Sequence, residues 1–180
     1  KKNICTSRSF GKKIKDFKLI KESIIAHATR CSEKLRKENS CARYISVSIQ
    51  TNRFDNSKKF YHGYKLKIID LPTNNTIYLV NLAVKILESI YIEDLEYKKS
   101  GVVVGDIIPE NQVQLNIFNN DQLTEKQSIL YNVVDSINDV MGRDKIRLLG
   151  HGINRKWSLK KENLSPRYTT DWSELLKIKV

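Results

Sequence analysis

The order of the secondary-structure patterns along residues 5–104 constrains the fold of this chain more than any single motif. Two amphipathic helical segments each lie between segments that alternate with the period of a strand. The order is strand, helix, strand, strand, helix, strand. One antiparallel sheet with both helices on one face is the economical arrangement for that order. The sequence therefore predicts an α+β fold with a four-stranded, mostly antiparallel sheet whose second face is open.

The strand patterns differ in how clearly they separate a buried face from a solvated face. Residues 44–51 alternate without a break between apolar and polar side chains, as expected for a strand with one face on the core. Residues 63–69 also alternate, and we expect Leu66 and Ile68 to face inward and the neighbouring lysines outward. Residues 97–104 end in a continuous apolar run, which indicates a central strand.

Three helices are predicted from apolar residues at three- and four-residue steps. Asp16 is placed to cap the first helix, and the second runs to about Tyr91. Thr124 with Gln127 forms a capping box for the third helix, and Gly142 is a natural C-cap. The apolar stripe of this third helix is formed by Ile129, Val133, Ile137 and Val140.

A formal net charge of +12 in 180 residues predicts a polyanionic partner, with nucleic acid ahead of an acidic membrane surface. The open sheet face is the surface on which we expect such a partner to lie. The side chains expected there are Ser46, Ser48, Lys65, Lys67 and either Lys98 or Lys99. The alternative is a solvated face whose lysines serve solubility.

Residues that would carry catalysis or bind metal are not grouped in the sequence. The three histidines are scattered and have no cysteine at ligand spacing, which argues against zinc. The three cysteines form no C-x-x-C pair, so a reducing cytoplasm is expected. Glu93 and Asp94 form a pair that is better explained as a solvated turn. No apolar run approaches the roughly 20 residues that span a bilayer.

A basic segment with interleaved aromatic residues follows Gly142. Trp157, Tyr168 and Trp172 lie among its arginines and lysines, a combination that can stack on and neutralise single-stranded nucleic acid. Alternatively, the two tryptophans anchor the core of a small module. We favour the second interpretation for Trp157 and leave Trp172 open.

Several blocks of the sequence resemble a known family. Residues 5–11, 28–35, 51–54 and 97–102 resemble the little-finger domain of UmuC-type Y-family translesion DNA polymerases, most specifically in Ser-Arg-Ser-Phe-Gly at 7–11. Ser-Pro-Arg-Tyr-Thr-Thr at 165–170 resembles the C-terminal signature of the same proteins. The likeness covers essentially the whole chain in one order. The chain starts without a methionine, and we expect it to be a piece of a longer protein.

The resemblance implies a four-stranded sheet that grips duplex DNA beside a polymerase active site, largely through the phosphate backbone. The candidate DNA-binding residues are Ser7, Arg8, Ser9, Lys12, Lys13, Lys65, Lys67, Lys98 and Lys99. The catalytic palm with its magnesium-binding acids would precede Lys1. We therefore expect no catalytic residue, metal site or cofactor within these residues, and polymerase activity only through the parent chain.

A short peptide in an amide-rich run resembles the sliding-clamp motif of the same family. It consists of Gln114, Leu115, Asn116, Ile117 and Phe118. An extended peptide can place the Gln114 amide in a polar notch and the apolar side chains in a groove. Ile117 stands where leucine is more usual. Alternatively, Leu115 or Phe118 simply covers the start of the third helix.

These observations divide the chain into three parts. Residues 1–108 form a little-finger DNA-binding domain, 109–123 a linker with the clamp-binding peptide, and 124–180 a small basic C-terminal module of undefined role. Because amide-rich linkers are usually mobile, we expect the two folded parts to move independently. The resemblance implies damaged DNA, the β sliding clamp, a processed UmuD dimer and RecA filaments as partners. It also implies a bacterial, cytoplasmic, nucleoid-associated protein without a membrane partner.

A stand-alone nucleic-acid-binding adaptor is the alternative function. Sheets of the RNA-recognition type stack bases on exposed strand aromatics. The solvated strand positions here are mainly serine and lysine, with Tyr44 and Tyr64 as the aromatic exceptions, which favours the polymerase interpretation.

Overall fold

The structure is a computed structural model that describes residues 1–55, 59–114, 121–159 and 164–175; for residues 121–125 it describes the backbone only. Its seven main elements follow the predicted order. They are β1 (Asn3–Ile14), α1 (Phe17–Lys37), β2 (Ser40–Thr51), β3 (His62–Thr73), α2 (Thr76–Ile90), β4 (Tyr97–Pro109) and α3 (Asp121–Met141). The strands form one antiparallel sheet in the order β1-β4-β2-β3. The predicted α+β architecture is therefore confirmed.

The core lies between the sheet and the pair of helices α1 and α2, which pack on each other and on one sheet face. Alternating residues of β2 supply its floor, with Ile45, Val47 and Ile49 fully buried. The side chain of Asp16 accepts a hydrogen bond of 2.8 Å from the backbone N–H of Lys18, so the predicted cap of α1 is confirmed.

The face assignment predicted for β3 is wrong. Lys65 lies opposite Val47 and Lys67 lies opposite Ile45, and directly opposed residues of an antiparallel pair share a face. The two lysines therefore stand on the helix side of the sheet. Leu66 and Ile68 lie on the open face, with 42% and 72% of their surface exposed. Lys65 and Lys67 remain exposed there because β3 is an edge strand, whereas Ile69 on the same side is buried, so apolar alternation in this strand does not identify the core.

The apolar stripe predicted for α3 is also wrong, because it does not face the rest of the protein. The helix begins at Asp121, ahead of the predicted capping box at Thr124, whose side chain lies outside the described residues. Ile129, Val133 and Val140 are exposed, whereas Tyr131 is buried. The docked face of α3 is the one that carries Tyr131 and Asp135.

In the structure the C-terminal module packs on the helices of the sheet domain (residues 1–108). Arg36 of α1 forms a paired contact with Asp135, with Nε to Oδ2 at 2.7 Å and Nη2 to Oδ1 at 3.0 Å. Its guanidinium also lies over the ring of Tyr131, 4.9 Å from the centroid. Trp157 joins the core cluster with 5% of its surface exposed, so its predicted role as an anchor is confirmed.

Within the described residues, none of the helices combines the length and the apolar character that a membrane span requires.

Candidate nucleic-acid interface

The register of the four strands arranges the open sheet face into cross-strand rows. One end of the face has two rows of mainly polar side chains. They are Ser9, Lys99, Gln50 and His62, and then Ser7, Gly101, Ser48 and Tyr64. The other end has two rows that become apolar towards β3. They are Cys5, Val103, Ser46 and Leu66, and then Asn3, Gly105, Tyr44 and Ile68.

The two polar rows form a surface of hydrogen-bond donors, which we call the polar half of the open face. Hydroxyl, amide, imidazole and ammonium groups from all four strands meet there, with only Gly101 lacking a side chain. These groups donate to phosphate oxygens and sugars, the atoms that take most protein–DNA hydrogen bonds. The polar half can therefore hold a nucleic-acid backbone without reading its bases.

Gly101 allows the side chains of Ser7 and Ser48 to lie close together in the polar half. A Cβ atom at this position would lie 2.7 Å from the Cβ of Ser7 and 3.4 Å from the Oγ of Ser48. Real Cβ atoms essentially never approach another heavy atom as closely as the first of these distances, so a side chain here would push β1 away at Ser7. The glycine also leaves the backbone of β4 open to close approach by a ligand.

At the apolar end of the open face, a side-chain hydrogen bond crosses the sheet from β2 to β1. The phenol of Tyr44 donates to the Oδ1 of Asn3 at 2.9 Å, and the ring passes over Gly105. Leu66 and Ile68 are exposed beside this ring. This end offers apolar contact rather than phosphate binding.

Three of the predicted DNA-binding residues are brought together and three are not. Ser7, Ser9 and Lys99 are neighbours in the polar half. The others in this group point to the helix side of the sheet: Arg8, Lys65 and Lys67. Arg8 shares its side of β1 with the buried Ile4 and Phe10, and that alternation is visible in the sequence.

The remaining predicted lysines lie around the ends of β1 and β4. The Nζ of Lys13 lies 2.5 Å from Asp55 Oδ2 and 3.6 Å from Glu96 Oε2, and the hydrogen bond to Asp55 raises the pKa of this ammonium. The Nζ of Lys98 donates to the carbonyl of Phe10 at 2.8 Å. Lys12 is exposed next to the bulge of β1. Two of these three cations are therefore engaged within the protein.

Gln50, His62 and Tyr64 were not among the predicted site residues, although they complete the polar half. Gln50 was already recognisable as a solvated position of β2. Tyr64 was counted among the solvated strand positions, but only the register between β2 and β3 places it and His62 beside Ser48 and Gln50 on the open face. Their rings lie 6.4 Å apart with a stacked orientation.

The clamp-motif residues Leu115, Asn116, Ile117 and Phe118 lie outside the described residues. Gln114, the first residue of the motif, lines a groove of about 580 Å³ together with Leu66, Ile68 and Tyr44. The peptide therefore begins next to the apolar end of the open face.

The cysteines and acidic residues do not form a reactive or metal-binding centre in the part of the chain that the structure describes. No three His, Cys, Asp or Glu side chains converge there in a way that would hold a metal ion. Burial raises the pKa of Cys31 to about 11 and that of Cys41 to about 12, which keeps both as neutral thiols. Cys5 is exposed and free.

Comparison with known proteins identifies the family. The model of the impB/mucB/samB family C-terminal domain matches residues 1–117, and that of a domain of unknown function (DUF4113) matches residues 129–178. Protein UmuC of Salmonella typhimurium (strain LT2) is 34% identical over 179 residues, which are 99% of this chain and 42% of that protein.

Two further relatives show similar coverage. Protein SamB of Salmonella typhimurium is 34% identical and protein MucB of Escherichia coli is 30% identical, each over 175 residues, 97% of this chain and 41% of the relative. The chain thus spans about two-fifths of the length of the curated relatives that it matches. The resemblance found in the sequence is confirmed, and the chain belongs to the impB/mucB/samB family, whose C-terminal domain it contains.

Proposed function

We propose that this chain is the DNA-gripping and clamp-tethering region of an error-prone translesion DNA polymerase that acts in SOS mutagenesis and DNA repair. The observation that carries this proposal is the polar half of the open face, where donors from four strands converge in a chain of this family. The partner is damaged primer-template DNA, held through its phosphates.

Binding through phosphates suits the composition of this face. Backbone contacts position a duplex without specifying its sequence. Serine hydroxyls, an amide and one ammonium can form such contacts. The polar half contains no arginine, the residue that recognises guanine by two hydrogen bonds. A polymerase that passes damaged bases gains from a grip that ignores base identity.

The chemistry of nucleotide transfer belongs to other residues of the parent protein in this proposal. Magnesium and the acidic side chains that hold it would act in the palm domain, and this region would keep the template in place. The further partners that we propose, from the family resemblance, are a processed UmuD dimer and RecA filaments, and the proposed location is the bacterial nucleoid.

Replacing Lys99 by Gln tests the grip on duplex DNA. The substitution removes the cation of the polar half, so duplex affinity should fall and the slope of log affinity against log salt should shrink by about 0.9, the value for one phosphate. Lys67→Gln is the matched control, because this lysine lies on the opposite side of the sheet. A loss in the Lys67 variant with none in the Lys99 variant would contradict the proposed surface.

The triple substitution Leu115→Ala, Ile117→Ala and Phe118→Ala tests the tether. It removes the apolar anchors of the motif and should abolish binding to purified sliding clamp. Because tethering raises the effective concentration of a weak contact, primer extension with the clamp should fall more than extension without it. Ile129→Ala with Val133→Ala is the control, since these exposed side chains of α3 also offer apolar surface. Clamp binding that survives the triple substitution would refute the tether.

A single-strand-binding adaptor is the second candidate, and one observation favours it. The rings of Phe60, His62 and Tyr64 follow one another along the start of β3, with stacked centroids 6.5 Å and 6.4 Å apart. Aromatic rings in such a series can stack on unpaired bases. Affinity for single-stranded RNA above that for duplex DNA, lost in Tyr64→Ala, would favour the adaptor over the polymerase region.

A further inference from the structure

A cavity of about 640 Å³ lies on the helix side of the sheet domain, where β1 and α1 meet the C-terminal module. Its floor is buried and contains His27, His151 and Trp157. Its rim is exposed and includes Arg8 and Arg143. The size matches pockets that hold small molecules, typically 300–1,000 Å³. The cavity is separate from the open face, because Arg8 points to the opposite side of β1 from Ser7 and Ser9.

The cavity carries an excess of positive charge. Among the described residues, five cations line it, namely Arg8, Arg30, Lys34, Arg143 and Arg155. Two carboxylates of the same described part accompany them: Glu33 pairs with Arg30, and Asp144 lies 2.8 Å from Arg155. Within the described residues, Arg8, Lys34 and Arg143 have no ion-pair partner. Cations gathered around a partly buried space attract an anion more strongly than cations on a flat surface.

Four residues that line the cavity also carry buried polar atoms without hydrogen-bond partners. These atoms are Trp157 Nε1, Arg155 Nε, His151 Nδ1 and His27 Nε2. The indole and guanidinium nitrogens can only donate, and a buried donor without an acceptor is unfavourable. Burial, reinforced by Arg8, lowers the pKa of His27 to about 4, so this ring is neutral at pH 7. The cavity therefore offers arginine and lysine charge above a floor with unused polar atoms, and a ligand rich in acceptor oxygens suits this charge.

Phosphate is the anion that fits best. A guanidinium group can donate two parallel hydrogen bonds to two phosphate oxygens, and Arg8 and Arg143 stand at the exposed rim of the cavity. The rest of the lining combines the apolar Ala26 and Leu159 with the hydroxyl residues Thr6 and Ser158, which suits a sugar or base rather than a second phosphate.

We propose that this cavity binds a nucleotide unit, with its phosphate held between Arg8, Lys34 and Arg143 and its sugar or base against Leu159. The ligand is either a free nucleotide or one nucleotide of a single strand, since both present the same chemistry. The site does not depend on the proposed grip on duplex DNA, and loss of one leaves the other unaffected.

The indole N–H of Trp157 reports binding directly. The chain has two tryptophans, of which Trp172 is exposed, so Trp172→Phe assigns the two indole signals in an NMR spectrum of the whole chain. Thymidine diphosphate and a short oligothymidylate are the probes, with inorganic phosphate and an uncharged methylphosphonate oligothymidylate as controls. The Trp157 signal should move with the diphosphate if the ligand is free, or with the oligothymidylate alone if it is a strand.

No movement with either probe would overturn the proposal. Equal movement with inorganic phosphate, or with polyglutamate, would overturn the nucleotide assignment, because the cavity would then be a general anion site. Movement with the methylphosphonate strand would overturn the role of the cations.

The double variant Lys34→Gln/Arg143→Gln should weaken nucleotide binding by about tenfold or more, since two charge-assisted contacts are lost. Lys18→Gln/Lys85→Gln removes the same charge from α1 and α2 outside the cavity and should leave binding unchanged. If the double variant does not fold, Arg143→Gln at the exposed rim carries the test alone. Equal affinity in the cavity and control variants would contradict the proposal.

Discussion

The sheet domain and the C-terminal module are held together by different kinds of contact. Apart from Trp157, every buried apolar residue of the core cluster belongs to the sheet domain. Within the module, α3 is attached through polar groups, among them Asp135 on Arg36 and the phenol of Tyr131, which accepts from the N–H of Ile77 at 3.2 Å. Apolar periodicity therefore predicts the buried face of an element only where that element meets an apolar core.

The largest expected difference between the two regions comes from deleting one apolar side chain in each. Leu35→Ala removes a fully buried side chain from α1 and should cost about 2–5 kcal/mol of unfolding free energy, because it leaves a cavity. Val133→Ala removes an exposed side chain of α3 and should change stability by less than about 0.5 kcal/mol. Urea unfolding followed by circular dichroism measures both. Equal losses would mean that α3 buries the stripe after all.

The second-largest expected effect is a loss of stability at acidic pH where the two regions meet. His27 lies in the sheet domain and His151 in the module, and burial lowers the pKa of each to about 4. The unfolded chain, with pKa values near 6.5, binds protons that the folded chain excludes. The stability from each neutral ring is therefore complete above pH 6.5 and falls as pH drops towards 4, by on the order of 2 kcal/mol per histidine at pH 5.

Stability against pH, measured for single His→Gln variants, checks this expectation. The slope between pH 7 and pH 5 should become shallower for His27→Gln and for His151→Gln. His62→Gln is the control, because His62 is exposed on the open face. An unchanged slope in both buried-site variants would contradict the neutral, buried state of these rings. The His151 Nε2 contact to Thr29 Oγ1, at 2.9 Å, joins the module to α1 beside this buried ring.

The contact of Arg36 with α3 should give a smaller and local effect. Arg36→Lys keeps the charge but loses the paired geometry on Asp135 and the hydrogen bonds to Asn74 O and Thr76 Oγ1. Amide exchange in α3 should accelerate by about thirtyfold, the equivalent of about 2 kcal/mol, while the sheet strands stay protected.

Lys37→Gln provides the matched comparison on the same helix turn. Its ion pair with Asp139, at 2.6 Å, is solvent-exposed and should be worth less than about 1 kcal/mol. Exchange in α3 that accelerates equally in the two variants would indicate general attraction between the elements rather than the specific Arg36 contact.

The sequence predicted the features that depend on neighbours along the chain. The order of elements, the cap at Asp16 and the burial of Trp157 were all confirmed. The order of elements follows from the periodicity of apolar residues, and the cap follows from a carboxylate two residues before the amide that it binds. The burial of Trp157 follows from the shortage of other large apolar residues in the module.

The features that sequence reasoning missed depend on distant partners. The register of β3 against β2 decides which of its side chains face the core. Leu66 and Ile68 are apolar but exposed, so the expectation that apolar residues face the core failed there. The docked face of α3 is set by Arg36, which lies 99 residues from Asp135. Which residues form the polar half likewise depends on how the four strands pair, and the pattern of a single strand does not show that pairing.

The central claim is that the polar half of the open face holds duplex DNA, and an amide footprint of the chain by NMR tests it most directly. A short duplex added at low salt should shift the amide signals of Ser7, Ser48 and Gly101, together with those of their row neighbours, and leave α2 unchanged. Shifts confined to the helix side, with the signals of the polar half in place, would contradict the claim.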